Sequence, residues 1–387
     1  MKILHLAPNA PYNDYWGYQE NLLPKYQKKL GCDVTLIITN TMHQDGKIVE
    51  IEPCEYRLND GVRVIRVAKK KTIHPWLTRL KSYLPIYHYL EEIQPDFIFY
   101  HGLVSNTIYD VIRYKKHCNP ACVIVQDNHM DYNIGIKGKT LKEKLYRAYY
   151  RYVNRNSIKY VDKVYGVTPW RKTYAEDFFQ IPKEKTAVLI MGADDEKIDF
   201  ANRKEIREKI RAFHGISDED FLITTGGKID KKKKIHLLME ACQNISNVKL
   251  LIFGQVNADI KNEFDTLLEK NPNIIYIGWV DADKVYDLFF ASDLVFFPGQ
   301  HSVLWEQACA SKVPCVFEKW EGMDHVDVGG NSDFVTPIEV DILRNKVKEL
   351  CYTDRYFQMK EFCESDATDV FLYSKIAEKS LECAKEK

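Results

Sequence analysis

The densest run of charge follows an apolar segment, Phe221 to Thr225, and reads Gly226-Gly227-Lys228-Ile229-Asp230-Lys231-Lys232-Lys233-Lys234. Glycines at a strand end let a ligand come close to the backbone. Lysines directly after them can neutralise a diphosphate without a bound cation. In isolation such a run reads as a solvated basic loop. Here it sits between a strand end and a helix start, where parallel α/β sheets bind ligands. A second constellation reads Pro298-Gly299-Gln300-His301-Ser302-Val303-Leu304-Trp305-Glu306. It predicts a strand ending at Pro298, a polar loop, and a helix from about Ser302 to Ser311. The free N–H groups at that helix start could hold phosphate oxygens. Glu306, one turn in, could accept bonds from both hydroxyls of a ribose. On spacing alone it is equally an ordinary helix-surface glutamate.

The first half offers fewer chemical groups. His129 follows the apolar run Cys122 to Val125, and His101 follows Phe97 to Tyr100. Each stands at a strand end, and histidine titrates near neutral pH. His129 is the stronger functional candidate. Cys118 and Cys122, beside His117, lack further ligands at zinc spacing, so no metal site is expected. No cofactor is expected either.

These groups need a scaffold. Apolar runs alternate with helical spacing along the chain: Lys2 to Ala7, a helix from Tyr18 to Lys29, then Asp33 to Ile38. The scheme repeats through Asp96 to Tyr100, Cys122 to Val125, Lys163 to Val167 and Ala187 to Met191. It starts again at Phe221 and runs through Lys249 to Phe253, Asn273 to Ile277, Leu294 to Phe297 and Pro314 to Phe317. Near-continuous apolar strands with helices between them predict an α/β protein of two doubly wound, Rossmann-like domains facing a central cleft. The expected domains are 1–195 and 196–365, with a C-terminal helix at 366–387 packing back on the first. Gly192 to about Ser217 reads as the polar link between them.

The totals agree with two domains. The chain has 387 residues, 55 basic and 55 acidic side chains, and a formal net charge of +0. That balance argues against a dedicated nucleic-acid binder. The first apolar run is too short for a signal peptide. No run of about 18 apolar residues predicts a membrane span. The ten cysteines are scattered and several lie in apolar segments, which favours free thiols and a cytoplasmic location.

Together these motifs resemble the retaining glycosyltransferases of family 4, which have the GT-B fold. The resemblance covers most of the chain and is strongest from Gly226 to Val316. Lys228 stands at the family's arginine and Lys233 at its lysine, the two cations that hold the donor diphosphate. Glu306-Gln307-Ala308 and the following Val313-Pro314 match the second glutamate of the family's paired motif and its sequel. Gly278-Trp279-Val280 resembles the segment whose backbone holds the nucleobase, and Asp293 an aspartate that ends the preceding helix. In the first half, Trp16-Gly17 with Glu20 resembles the family's first loop, Val164 to Thr168 one of its strands, and Val125 to His129 the strand that delivers a catalytic-site histidine. The resemblance implies metal-independent transfer of a sugar, with retention, from a UDP- or GDP-sugar to a glycan or lipid-linked acceptor, in bacterial surface polysaccharide synthesis. Lys228 and Lys233 would stabilise the leaving diphosphate. His129 would contact the sugar, Glu306 the ribose, and Gly17 would let the first loop approach the phosphates.

The departures are specific. The loop before Glu306 is shorter than the family's, and Pro298 stands where its first glutamate would be. Gln300, His301 and Ser302, with Val303, are the candidates to replace that contact. Lys228 in place of arginine removes a bidentate fork and leaves a point charge. A nucleotide-sugar epimerase or hydrolase and a non-catalytic partner subunit are the alternatives. Residues 69–84 and 137–159 mix cations with aromatics, which suits either anionic lipid headgroups at the cytoplasmic face of a membrane or a solvated helix face.

Overall fold

The computed structural model describes residues 1–133, 135 and 139–385. Lys137 and Gly138, within the second basic-aromatic stretch, lie outside the described residues, as do Glu386 and Lys387 of the expected C-terminal helix. The chain divides into two compact units, Met1–Ile190 with Ile376–Lys387, and Met191–Lys375. The crossing points fall at 190/191 and 375/376, against the expected 195/196 and 365/366.

The first unit contains β1 (Lys2–Ala7), β2 (Asp33–Thr39), β3 (Thr41–Gln44), β4 (Lys47–Glu50), β5 (Cys54–Arg57), β6 (Arg63–Val67), β7 (Phe97–His101), β8 (Val123–Asn128), β9 (Lys163–Gly166) and β10 (Thr186–Val188). Its eight-stranded sheet runs β10-β9-β8-β7-β1-β2-β6-β5. All neighbours are parallel except the edge pair β5 and β6. β3 and β4 form a separate antiparallel hairpin. Its turn, Asp45-Gly46, has both residues at positive φ, 50° and 74°, as a tight hairpin requires.

The second unit contains β11 (Phe221–Gly226), β12 (Val248–Phe253), β13 (Ile274–Tyr276), β14 (Leu294–Phe297), β15 (Cys315–Glu318) and β16 (Ser332–Val335). They form one sheet in the order β13-β12-β11-β14-β15-β16, parallel throughout. That order reverses between β11 and β14. In the first unit it reverses between β1 and β7. Such a reversal opens a crevice at the carboxyl ends of the two strands, where ligands bind in doubly wound sheets.

The apolar strands explain why these sheets form. Leu4, Leu6, Ile98 and Ile124 are buried in one core, and Ile223, Leu250, Ile252, Leu294 and Val316 in the other. Each fully buried side chain of this kind stabilises its unit by about 1.5–3 kcal/mol before entropy is counted. The expected link, Gly192 to Ser217, is instead part of the second unit and contains an eleven-residue helix, Arg203–Phe213. Its cations explain the difference. Arg207 Nη2 donates to Asp293 Oδ1 at 2.6 Å, and Arg211 Nη1 to Asp293 Oδ2 at 3.1 Å. A polar sequence thus packs because its charges are paired. Asp293 also accepts from the Leu222 N–H at 2.8 Å, which ties the helix to β11.

Candidate functional site

In the second unit the two chemical constellations meet. Gly227 follows β11 at φ 101°, a conformation that strains any residue with a side chain, and a Cβ there would lie 2.9 Å from Leu304. The Asp230 carboxylate then caps a short 3₁₀ turn, Lys231–Lys233, by accepting from the Lys232 and Lys233 N–H groups. The loop after β14 packs directly on this turn. The Gln300 N–H donates to the Lys232 carbonyl at 3.1 Å. A Cβ on Gly299 would fall 2.4 Å from the Lys233 carbonyl, so only glycine allows the two loops to touch.

The lysines differ in setting. Lys233 Nζ donates to the Gln300 carbonyl at 2.5 Å and is 3.4 Å from that of His301. Burial pushes its pKa down to about 8, with the Asp230 charge opposing. Lys228 is exposed, its Nζ 3.8 Å from Asp230 Oδ2. Lys234 pairs with Glu318 at 2.5 Å and is occupied structurally. Lys228 is thus open to water, and Lys233 is held against the neighbouring loop.

The helix after this loop is shorter than expected, Leu304–Ala310, with Val303 at its start and no side-chain cap. Ser302 belongs to the preceding turn, its carbonyl accepting from the Trp305 N–H at 3.0 Å. Glu306 is not on an open surface. Its side chain is 0% exposed, and Oε1 lies 2.8 Å from both His301 Nε2 and His325 Nε2. Burial pushes this carboxyl's pKa up, and the two imidazoles pull it far below the ordinary carboxylate range. The loop after β14 places His301 against Glu306. Among the described residues, Glu306 Oε2 and His325 Nδ1 are buried without a hydrogen-bond partner. The expected ribose carboxylate thus has one oxygen committed and one uncommitted. The segment expected to border the nucleobase follows β13. Trp279 is 72% exposed, Val280 is half-buried, and the preceding Gly278 accepts from the Gly254 N–H at 2.6 Å.

In the first unit, parallel register assembles the histidines. Residues paired across parallel strands share a face, as do residues two apart on one strand. His5 pairs with Phe99, and His101 with Asp127. His5, His101, Asp127 and His129 therefore line one face beside the β1/β7 reversal. Asp127 Oδ2 lies 2.7 Å from His101 Nδ1 and 3.2 Å from His129 Nε2. Asp127 is fully buried, whereas the His129 side chain keeps 37% exposure. Burial alone would lower the His129 pKa, but the charge and hydrogen bond of Asp127, with the charge of Glu20, together outweigh it and the net shift is upward. Gly17 is exposed, and a Cβ there would meet nothing within 4 Å. Protein packing does not demand glycine at that position. Its loop is anchored nonetheless, because Trp16 stacks on His43 with centroids 5.3 Å apart, and Arg66 Nη1 donates to the Tyr12 carbonyl at 3.1 Å.

Both carboxylate clusters, His101–Asp127–His129 and His301–Glu306–His325, have the donor types that could hold a metal ion. In each, however, the imidazole nitrogens sit at hydrogen-bonding distance from one carboxylate oxygen. Sequence reasoning did not single out Asp127, His5 or His325. Register could have found the first two. His325 lies in an irregular segment after β15 and has no such signal.

Residues 206–351 match the family model described as glycosyl transferases group 1. A processive diacylglycerol alpha-glucosyltransferase of Acholeplasma laidlawii is 23% identical over 180 residues, which is 44% of this chain and 54% of that protein. The chain thus spans about half that relative's length. Among solved structures, a glycosyltransferase from Rickettsia africae superposes with a TM-score of 0.71 at 17% identity, covering 100% of this chain and 98% of that one. Anabaena HepE in complex with UDP gives 0.65 at 18% identity, with 100% of each chain covered. At these identities the structural likeness establishes the fold, which is GT-B.

Proposed function

We propose that this chain, whose residues 206–351 match the group 1 glycosyltransferase model on a GT-B fold, moves a sugar from a nucleoside-diphosphate sugar to a glycan or lipid-linked acceptor, with retention and without a metal. The observation that carries this reading is the direct contact of the lysine turn, 231–233, with the loop after β14 at the strand-order reversal. Lys228 and Lys233 would take the diphosphate, Lys233 turning its ammonium from two carbonyls to the phosphate oxygens. Preorganised charge of this kind matters most where charge develops on the leaving group. Glu306 Oε2 is the acceptor left for a ribose hydroxyl. Trp279 and Val280 would border the base. Gln300, His301, Ser302 and Val303 would border the sugar, and the family resemblance gives His129 a sugar contact too. Two relatives support the ligand class by their names: HepE was solved with UDP, and the Acholeplasma enzyme is named for a diacylglycerol acceptor.

A lipid-linked acceptor agrees with the surface of the first unit. Lys142 Nζ lies 5.9 Å from the Trp76 ring centroid, which brings the two basic-aromatic stretches together. Ile73, Leu77, Leu141, Leu145 and Tyr152 are exposed there. Tyr150 is buried, and Tyr149 donates to Asn106 Oδ1 at 2.8 Å, so these two serve the fold. Exposed apolar side chains ringed by lysines suit adsorption to anionic headgroups. Among the described residues no helix is long and apolar enough to cross a membrane.

The test is product formation across UDP- and GDP-sugars with glycan and glycolipid acceptors, in the presence of EDTA. Transfer that persists in EDTA, with the anomeric configuration kept, is the expected result. Product formed without any acceptor would instead indicate an epimerase or hydrolase. Donor binding without turnover across the whole panel would indicate a partner subunit.

A further inference from the structure

Six side chains of the first unit form one continuous hydrogen-bonded chain: His129, Asp127, His101, His5, Gln27 and Ser380. His101 Nε2 lies 3.1 Å from His5 Nδ1, and His5 Nε2 lies 2.7 Å from Gln27 Oε1. All except His129 are buried. Gln27 comes from the helix Gln19–Lys29, and Ser380 from the returning C-terminal segment.

Hydrogen-bond accounting assigns the protons, starting from Ser380. Its hydroxyl has one proton, which it donates to the Ala377 carbonyl at 2.7 Å. It therefore accepts from Gln27 Nε2, at 2.8 Å. Gln27 then presents Oε1 to His5, so His5 Nε2 carries a proton. Burial, reinforced by His101, lowers the His5 pKa to about 3, so His5 is neutral and its Nδ1 has only a lone pair. His101 Nε2 must donate to it. At the other end, Asp127 Oδ1 accepts from the Gly102 N–H at 2.8 Å, and a carboxylate can only accept. His101 Nδ1 must therefore donate as well.

We propose that His101 is a buried imidazolium, and that with Asp127 it acts as a positioning pair, holding His129 in the Nε2–H form with Nδ1 turned outward. His101 keeps Asp127 ionised and aimed, and Asp127 takes the His129 Nε2 proton. Glu20 also raises the His129 pKa and Arg171 lowers it. When protonated, His129 offers Nδ1–H as a donor to a hydroxyl. When neutral, it offers an acceptor. The consequence for turnover rests on His129 facing the transferred sugar; the charge on His101 does not.

Nitrogen-15 NMR of the histidine-labelled full chain at about pH 7 tests the charge directly. His5→Asn and His101→Gln variants assign the signals. The expected spectrum shows both His101 nitrogens protonated and His5 neutral. A neutral His101 would overturn the proposal. That result corresponds to a turned Gln27 amide, with Ser380 donating to Gln27 instead of Ala377. In Ser380→Ala nothing fixes the amide, and His101 is expected to lose its second proton. Retention of both protons in that variant would also contradict the accounting. Turnover supplies a readout that a purely structural role would not move. His101→Gln removes a like charge near His129, so the alkaline limb of the rate profile should shift to higher pH. An unshifted limb would contradict the positioning role. An intact imidazolium in a protein that binds no nucleotide would count against the functional reading alone.

Discussion

Each strand-order reversal carries one carboxylate between two imidazoles, and the two clusters differ in what the carboxylate has left to offer. Asp127 is saturated. Oδ1 accepts from Gly102 and Oδ2 faces both His101 and His129. Its charge is spent on orienting His129, whose ring reaches solvent. Glu306 is half-used. Oε1 faces both histidines, while Oε2 and His325 Nδ1 are buried without partners among the described residues. Buried polar groups are nearly always paired, which makes Glu306 Oε2 the acceptor that the proposed ribose hydroxyl would meet. The first cluster supports one exposed imidazole, and the second would serve the proposed donor.

The contrast breaks most sharply at Glu306. Glu306→Ala leaves two buried imidazoles without their shared acceptor and should cost about 3–5 kcal/mol in urea unfolding, the range for removing one partner of a buried pair. A loss under about 1 kcal/mol would mean the cluster is open to water in solution. Both carboxyls have depressed pKa values in the fold. Their stabilisation is therefore complete above the unfolded carboxylate pKa, 3.8 for Asp127 and 4.5 for Glu306, and is lost as pH falls from there through the folded values.

Lys233→Ala should weaken nucleoside-diphosphate binding by about 1.5–3 kcal/mol, the worth of a charged hydrogen bond, as read by calorimetric titration. In the intact chain, binding should also weaken as pH rises through about 8, because the ammonium deprotonates there. Lys228→Ala should cost less, since that side chain is exposed and its charge is screened.

At the first cluster, Asp127→Asn should act on the pH profile. Removing the charge that raises the His129 pKa moves the alkaline limb of turnover to lower pH, opposite in sign to His101→Gln. Equal shifts in the two variants would contradict the assigned roles. Ser380→Ala is the mildest change, with an expected cost of about 1 kcal/mol or less in unfolding.

The sequence made the scaffold legible because buried parallel strands read as apolar runs, and because the lysine turn and the Pro298–Glu306 loop stand at strand ends. Three things were hidden, each for a physical reason. The Arg203–Phe213 helix read as a link because Arg207 and the buried Arg211 look like surface charge until Asp293 is seen between them. The β3–β4 hairpin had one local signal, Asp45-Gly46. The burial of Glu306 depends on His325, nineteen positions away in an irregular segment, which no periodicity connects to it. His101, a weaker candidate on sequence, is placed beside Asp127 by strand register, which sequence spacing alone does not show.

The most direct test is a thermal-shift titration of the intact chain with UDP and GDP, alongside Lys233→Ala. A ligand that binds only the folded state raises the Tm with concentration. The expected result is a dose-dependent rise with at least one nucleotide, sharply reduced in Lys233→Ala. No rise with either, or an equal rise in the variant, would contradict a diphosphate site at the β11/β14 reversal.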